Sequence, residues 1–397
     1  MKICVVGLGY MGLPTALLFA KNGHNVVGFD ISKERINDLN KGKLPFDEKG
    51  LLELFESAKK RFKATSDVKN TKEAEVYLVA VPTPISNEKK CDLSYVESAM
   101  NTILSVLSDG NTVILESTVR PRTTIDIVKP ILDKSKVGYN LAYVSEKAIP
   151  GNTIYEMIHN DRIIGGIDPK SSDMVKKLYS SFVKGEIIVT DCTTAETVKL
   201  MENTYRDVNI ALANEFLKLS SDLGINAWEA IALANHHPRV KIMHPGPGVG
   251  GHCIPVDPWF LTEVSDKAKL IKQARMINDS MPSYVVEKIE KIMKENNFKK
   301  VGLLGAAYKK NVDDARESPT LYIAKLLSEK GIEFKIHDPF VKEFKVEIEK
   351  DLATVTEWAD CLVVVCDHNI YGDLHTNKVV LNTKNVRIKN SIVLGDN

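Results

Sequence analysis

The segment Lys2-Ile3-Cys4-Val5-Val6-Gly7-Leu8-Gly9-Tyr10-Met11-Gly12 carries two signals in succession. Lys2 to Val6 is a short apolar run of the kind that forms a buried parallel strand. Gly7, Gly9 and Gly12 then supply G-x-G-x-x-G, and Pro14 to Asn22 reads as a helix. In a strand–turn–helix setting such glycines allow a tight turn and a close approach of a pyrophosphate to the helix N-terminus. Tyr10 and Met11, inside the turn, count with it as cofactor contacts. Asn25 to Phe29 reads as a second strand, closed by Asp30. A carboxylate at that place accepts hydrogen bonds from ribose hydroxyls and repels a 2′-phosphate, which favours NAD over NADP. Arg35, at the start of the following helix, is expected at the surface or against the ribose.

The pattern continues outward. Val76 to Val81 is a further strand, ending at Pro82-Thr83-Pro84, and Thr112 to Leu115 another, followed by Glu116-Ser117-Thr118. Alternating strands and helices predict a parallel sheet with ligands at the carboxyl ends of its strands. Cys192 to Leu223 breaks this rhythm, with no Pro or Gly before Gly224 and apolar residues at helical spacing. It predicts one helix of about eight turns. Thr193-Thr194-Ala195-Glu196 fits a capping box at its start. A helix that long is expected to link domains or to pack against a second copy. From Lys300 the first pattern returns: Val301-Gly302-Leu303-Leu304-Gly305 matches the opening strand and turn, and Phe334 to Asp338 matches Val26 to Asp30. The third glycine is missing there, and Lys309, Lys310 and Arg316 stand nearby, which suits a diphosphate better than a second NAD. The expected fold is α/β, with two Rossmann-like parallel-sheet domains joined by a central long-helix domain: 1–190 for NAD, 191–290 helical, and 291–397 for the second nucleotide.

Composition narrows the function classes. With 26% charged residues and a formal charge of +1, nothing points to capture of nucleic acid or an anionic membrane. No apolar run is long enough to span a bilayer. Met1 to Val6 lacks the layout of a secretory leader, so a cytoplasmic location is expected. The six cysteines are scattered without a Cys-x-x-Cys pair, which fits reduced thiols better than disulfides or zinc. His236-His237 has no accompanying acid or thiol cluster, and no metal is expected.

One cysteine stands apart. Gly250-Gly251-His252-Cys253-Ile254-Pro255-Val256-Asp257 places a thiol between a glycine pair and an acid. A thiolate is a strong nucleophile, and small neighbours let substrate approach the backbone. A dehydrogenase with such a group can hold an aldehyde covalently and oxidise it a second time. Lys199, Asn203 and Arg206 fall at i, i+4 and i+7, one face of the long helix. A nearby ammonium both activates a thiol and stabilises a tetrahedral oxyanion, and Lys199 is the best candidate. Glu146 and Asp257 are the carboxylates suited to activating water for thioester hydrolysis.

Taken together these segments resemble the UDP-glucose/GDP-mannose dehydrogenase family. The resemblance rests on Val5 to Gly12, Val81-Pro82-Thr83-Pro84, Glu116-Ser117-Thr118-Val119, Lys199-Leu200-Met201-Glu202-Asn203, Gly250 to Asp257, Gly305-Ala306-Ala307-Tyr308-Lys309 and Asp313 to Pro319, in the family's order across nearly the whole chain. It implies oxidation of the C6 alcohol of a nucleotide sugar to a carboxylate with two NAD and one water. Cys253 would be the nucleophile, Lys199 the oxyanion partner, Asn203 a holder of sugar or water, Asp257 an orienter of water or Lys199, and Glu146 a base. Thr83 and Thr118 would line the nicotinamide side. Lys309 and Arg316 would contact substrate and cofactor. Lys147, Ala148, Arg206, His237, Arg239 and Gly248 complete the implied substrate contacts. Val256 before the aspartate, with His237-Pro238-Arg239 and Pro258-Trp259-Phe260, looks most like the family's UDP-N-acetylmannosamine branch; UDP-N-acetylglucosamine and UDP-glucose remain alternatives. A homodimer or a dimer of dimers is expected. Two other classes stay open: a simple two-electron dehydrogenase, which needs no cysteine, and an NAD-sensing scaffold, which makes no NADH.

Overall fold

Short apolar runs separated by helices assemble into two parallel sheets, as the alternation predicts. The computed structural model describes residues 1–86, 88–389 and 391–395. Contacts divide the chain into two units, residues 1–202 with 259–265 and residues 203–258 with 266–397.

The first unit holds β1 (Lys2–Val6), β2 (Asn25–Phe29), β3 (Phe62–Thr65), β4 (Val76–Val79), β5 (Asn111–Leu115), β6 (Tyr139–Val144), β7 (Arg162–Gly166) and β8 (Ile187–Asp191) in the order β3-β2-β1-β4-β5-β6-β7-β8. All neighbours are parallel except β6 and β7. The order reverses direction between β1 and β4, where Val6 pairs with both Phe29 and Val79. That switch point is where doubly wound sheets bind ligands. The central strands are buried on both faces, so they read as continuous apolar runs rather than alternating ones. Helix Gly12–Lys21 packs Leu13, Leu17 and Phe19 into the core, and Phe19 meets Tyr179 and Phe182 edge-on at 5.3 and 5.0 Å.

The second unit holds β9 (Lys300–Leu304), β10 (Glu333–His337), β11 (Ile348–Glu349), β12 (Cys361–Val364), β13 (Val379–Asn382) and β14 (Ile392–Val393) in the order β11-β10-β9-β12-β13-β14, all parallel. This is the echo that the sequence contains, with β9 in the place of β1 and β10 in that of β2.

The long helix runs without a break over Cys192–Leu223. Its expected capping box does not form. Asp191, one position before the helix, accepts from the N–H and hydroxyl of Thr194 at 2.9 and 2.6 Å. With the cap already supplied, Glu196 turns away to accept from the N–H groups of Arg122 and Thr124 and from the Thr124 hydroxyl. Among the described residues no helix is long and apolar enough to cross a membrane.

Candidate active site

In the first unit the glycine turn is built as the motif requires. Gly7 adopts φ +92°, and a Cβ there would strike the carbonyl of Ala80; a Cβ on Gly12 would strike the carbonyl of Gly7. Gly9 differs: a Cβ on it would meet nothing within 4 Å. Gly7 and Gly12 thus serve the tight turn and helix packing, while Gly9 leaves the open approach that a pyrophosphate needs. The residues present therefore fit NAD. Asp30 is buried, accepting from the N–H of Leu8 and of Ser32, each at 2.9 Å, and from Arg35 at 2.8 Å. Arg35 reaches the acid with its side chain still 38% exposed. A ribose hydroxyl at that oxygen competes with Arg35. Tyr10 donates to Glu48, which also accepts from the N–H of Gly151 and Thr153. Burial, then that acceptor, push the Tyr10 hydroxyl up to about 12. Met11 packs on the core. Glu48 was not legible as a site residue; it lies in an irregular stretch with no motif around it.

The loops after β4 and β5 are stapled together. The Thr83 hydroxyl donates to the Thr118 carbonyl at 2.6 Å, and the Ser117 hydroxyl both accepts from Val81 N–H and donates to its carbonyl. After β6, Glu146 is enclosed. One oxygen accepts from the N–H of Lys147 and Ala148 at 2.6 and 2.7 Å, and the other takes Arg162. Burial pushes this carboxyl up, but the Arg162 charge and its hydrogen bond outweigh that and leave it below the ordinary value. Base work by Glu146 in this arrangement requires exchanging a donor for water. Lys147 pairs with Glu202. Lys199 is 8% exposed.

In the second unit, the Cys253 loop is clasped from below. Gly251 N–H donates to the Arg316 carbonyl at 2.9 Å, and a Cβ on Gly250 or Gly251 would run into Tyr308. Gly248, at φ +139°, lies against Pro282 and Pro319, so it shapes the loop backbone. The Cys253 carbonyl accepts from the N–H of Val256 and Asp257 at 3.0 and 2.9 Å, starting helix Asp257–Val264. Asp257 is buried, and its Oδ2 accepts from the Asn203 side chain at 2.6 Å. Of the six cysteines, Cys253 alone is exposed. Burial raises Cys4, Cys192 and Cys366 to about 12 and Cys361 to about 11. Arg206, Lys309 and Arg316 are exposed, with Arg316 gripping Asp314 through two nitrogens at 2.9 and 2.6 Å. His237 and Arg239 lie on an exposed stretch and contact each other. Asn214, which no motif includes, also braces this region: its side chain accepts from Gly246 N–H at 2.9 Å. No set of three or more His, Cys, Asp or Glu side chains able to hold a metal occurs among the described residues.

The second nucleotide fold differs from the first at the acid. Asp338, the counterpart of Asp30, is fully buried and accepts from the N–H of Ala306, Ala307, Phe340 and Val341 and from His368. Burial alone would push it up; these donors hold it well below the usual carboxylate range. All of its accepting capacity goes to the protein, which leaves none for a ribose.

Comparison with known proteins gives the family. Family models match in three parts: the UDP-glucose/GDP-mannose dehydrogenase family NAD binding domain over residues 1–183, its central domain over 193–280, and its UDP binding domain over 302–389. UDP-N-acetyl-D-mannosamine dehydrogenase of Methanocaldococcus jannaschii is 47% identical, covering 97% of this chain and 92% of that protein. The structure of UDP-D-ManNAc dehydrogenase from Pyrococcus horikoshii superposes with a TM-score of 0.93 at 38% identity, over 100% of this chain and 99% of that one. A UDP-N-acetyl-mannosamine dehydrogenase structure from Staphylococcus aureus gives 0.90 at 42% identity, over 99% and 97%.

Proposed function

The chain belongs to the UDP-glucose/GDP-mannose dehydrogenase family of NAD-dependent oxidoreductases, and from that premise we propose that it oxidises the C6 alcohol of UDP-N-acetyl-D-mannosamine to the carboxylate through Cys253. The observation that carries this reading is the single exposed thiol, Cys253, in a glycine-lined loop that leads directly into Asp257 and its bond to Asn203.

Gly7, Gly9, Gly12, Tyr10, Met11, Asp30 and Arg35 hold NAD, with Thr83 and Thr118 on its nicotinamide side. When bound, NAD accepts a hydride from C6 in each of two oxidations. The first turns the alcohol into an aldehyde and releases a proton. The Cys253 sulfur then adds to the carbonyl carbon, forming a thiohemiacetal. Its oxidation gives a thioester, and water releases the carboxylate and the free thiol. Covalent capture keeps the aldehyde from escaping between steps. Lys199 offsets the oxyanion charge. Asn203 and Asp257 orient the hydrolytic water; Glu146 is the alternative base. Lys147, Ala148, Arg206, His237, Arg239, Gly248 and Lys309 hold the sugar nucleotide, with Arg316 near the cofactor. The M. jannaschii relative, 47% identical over 97% of this chain, supports the choice of sugar.

We also propose a homodimer. Met201, Tyr205, Leu212, Leu219 and Leu223 form one stripe on the long helix and are 41% to 63% exposed, more apolar surface than a solvated helix face carries. The deciding experiment is NADH formation from UDP-N-acetylmannosamine, UDP-N-acetylglucosamine and UDP-glucose. A site built to hydrogen-bond the acetamido group rejects a sugar lacking it by on the order of 10⁴. UDP-glucose as the best substrate overturns the choice of sugar. NADH from none of them overturns the activity.

A further inference from the structure

Arg162 opens β7 and is 2% exposed. Its guanidinium donates to the Ser145 carbonyl at 3.2 Å, to Glu146 Oε2, and to the Met157 carbonyl at 3.0 Å, and it lies 5.5 Å from the Tyr179 ring centroid. The other Glu146 oxygen takes the N–H groups of Lys147 and Ala148. One buried cation therefore reaches, through one carboxylate, the backbone of the segment that carries two substrate contacts. The Lys147 ammonium itself pairs with Glu202 on the long helix. A buried ion pair is a poor device for stability, because well-packed apolar residues of the same volume serve as well or better. Its retention here asks for a different reason. The remaining titratable groups around the pair are Glu116, from the loop after β5, and Tyr179, from helix Pro169–Tyr179.

We propose that Arg162 is a positioning residue of the oxidation, acting through Glu146 to fix residues 145–148 so that Lys147 and Ala148 meet the nucleotide sugar in one geometry. This rests on the substrate reading above. Displacing a positioning segment by an ångström costs up to about 100-fold in rate.

The test is steady-state kinetics of the parent, Arg162→Gln, Arg162→Lys, Glu146→Gln and the Arg162→Gln/Glu146→Gln double variant, with NAD and nucleotide sugar varied separately across pH. In Arg162→Gln, kcat/KM for the sugar falls roughly 10- to 100-fold, while KM for NAD stays within about twofold. Its acid limb moves to higher pH, because Glu146 has lost the cation that keeps it ionised. Arg162→Lys recovers part of the loss. Glu146→Gln reproduces the sugar-specific loss, and the double variant loses no more than the worse single one. Parent-like kinetics in Arg162→Gln overturn the proposal. So does a rise of both KM values together with an unmoved acid limb, which marks general support of the fold. If Arg162→Gln does not fold, parent-like sugar KM in both Arg162→Lys and Glu146→Gln overturns it. A parent that forms no NADH from any nucleotide sugar refutes the substrate reading instead; a parent that prefers another sugar is compared on that sugar.

Discussion

Glu116→Gln should make the protein relatively more stable at neutral and alkaline pH, and not at acid pH. Glu116 is buried beneath the end of β5, where the Thr15 hydroxyl lies 3.1 Å from Oε2 and the Tyr179 hydroxyl donates to Oε1 at 2.9 Å. Burial, and next the charge of Glu146, raise its carboxyl from 4.5 to about 7, against the pull of Arg162. The sign follows from comparing the two states. Between about pH 4.5 and 7 the unfolded chain ionises this group and the native chain keeps it neutral, so native stability falls as pH rises through that window. Each pH unit is worth about 1.4 kcal/mol, so the loss reaches at most roughly 3 kcal/mol by pH 7 and then stops growing. Glutamine keeps the neutral geometry: its amide N–H₂ faces Thr15 and its carbonyl accepts from Tyr179. The variant should therefore match the parent near about pH 5 and exceed it near about pH 8 by up to roughly 3 kcal/mol. In a unit of this size that is a melting difference of about 6 to 12 °C. Thermal melts of both proteins at the two pH values measure it. Glu196, also raised to about 7 chiefly by burial, adds the same slope to both proteins and cancels in the difference. A parent–variant difference that does not change between the two pH values would refute the argument.

Other outcomes can be checked directly. Two NADH should form per sugar with no free aldehyde; Cys253→Ser should lose at least about 100-fold in turnover while still binding NAD and sugar, and unchanged turnover rules the thiol out. Asp30→Ala should narrow the preference for NAD over NADP, and Arg35→Ala should widen it by leaving the acid's charge unopposed; measured kcat/KM ratios that move the other way refute both roles. Leu219→Glu, on the exposed stripe of the long helix, should turn a dimer into a monomer by light scattering, and a parent that is already a monomer at micromolar concentration removes the dimer proposal.

Short-range patterns were fully legible. The strand Lys2–Val6, the glycine turn and Asp30 are local signals, because their job is done by backbone shape within a few residues. The long helix was legible to its end residues for the same reason: no Pro or Gly interrupts it before Gly224. Its cap was misread. Thr193 and Glu196 have the spacing of a capping box, but Glu196 is taken by Arg122 and Thr124, some 70 positions away, and Asp191 supplies the cap.

Chemistry at the level of residue type was also present in the chain alone: a thiol flanked by glycines, a lysine and an asparagine at helical spacing, an acid closing a strand. What the sequence could not contain is how each group's lone pairs and protons are shared. Glu146 reads as a carboxylate suited to base work, and only the folded chain shows that Arg162 and two backbone N–H groups share its oxygens. Asp338 closes its strand as Asp30 does, and only the folded chain shows His368 and four N–H groups filling it. Its glycine neighbours single out Cys253 in the chain, but only the fold shows that the other five cysteines are buried. The physical reason is common to all three. Periodicity and turn chemistry act over a few residues, whereas protonation and nucleophilicity are set by desolvation and by donors that only the folded chain brings within reach.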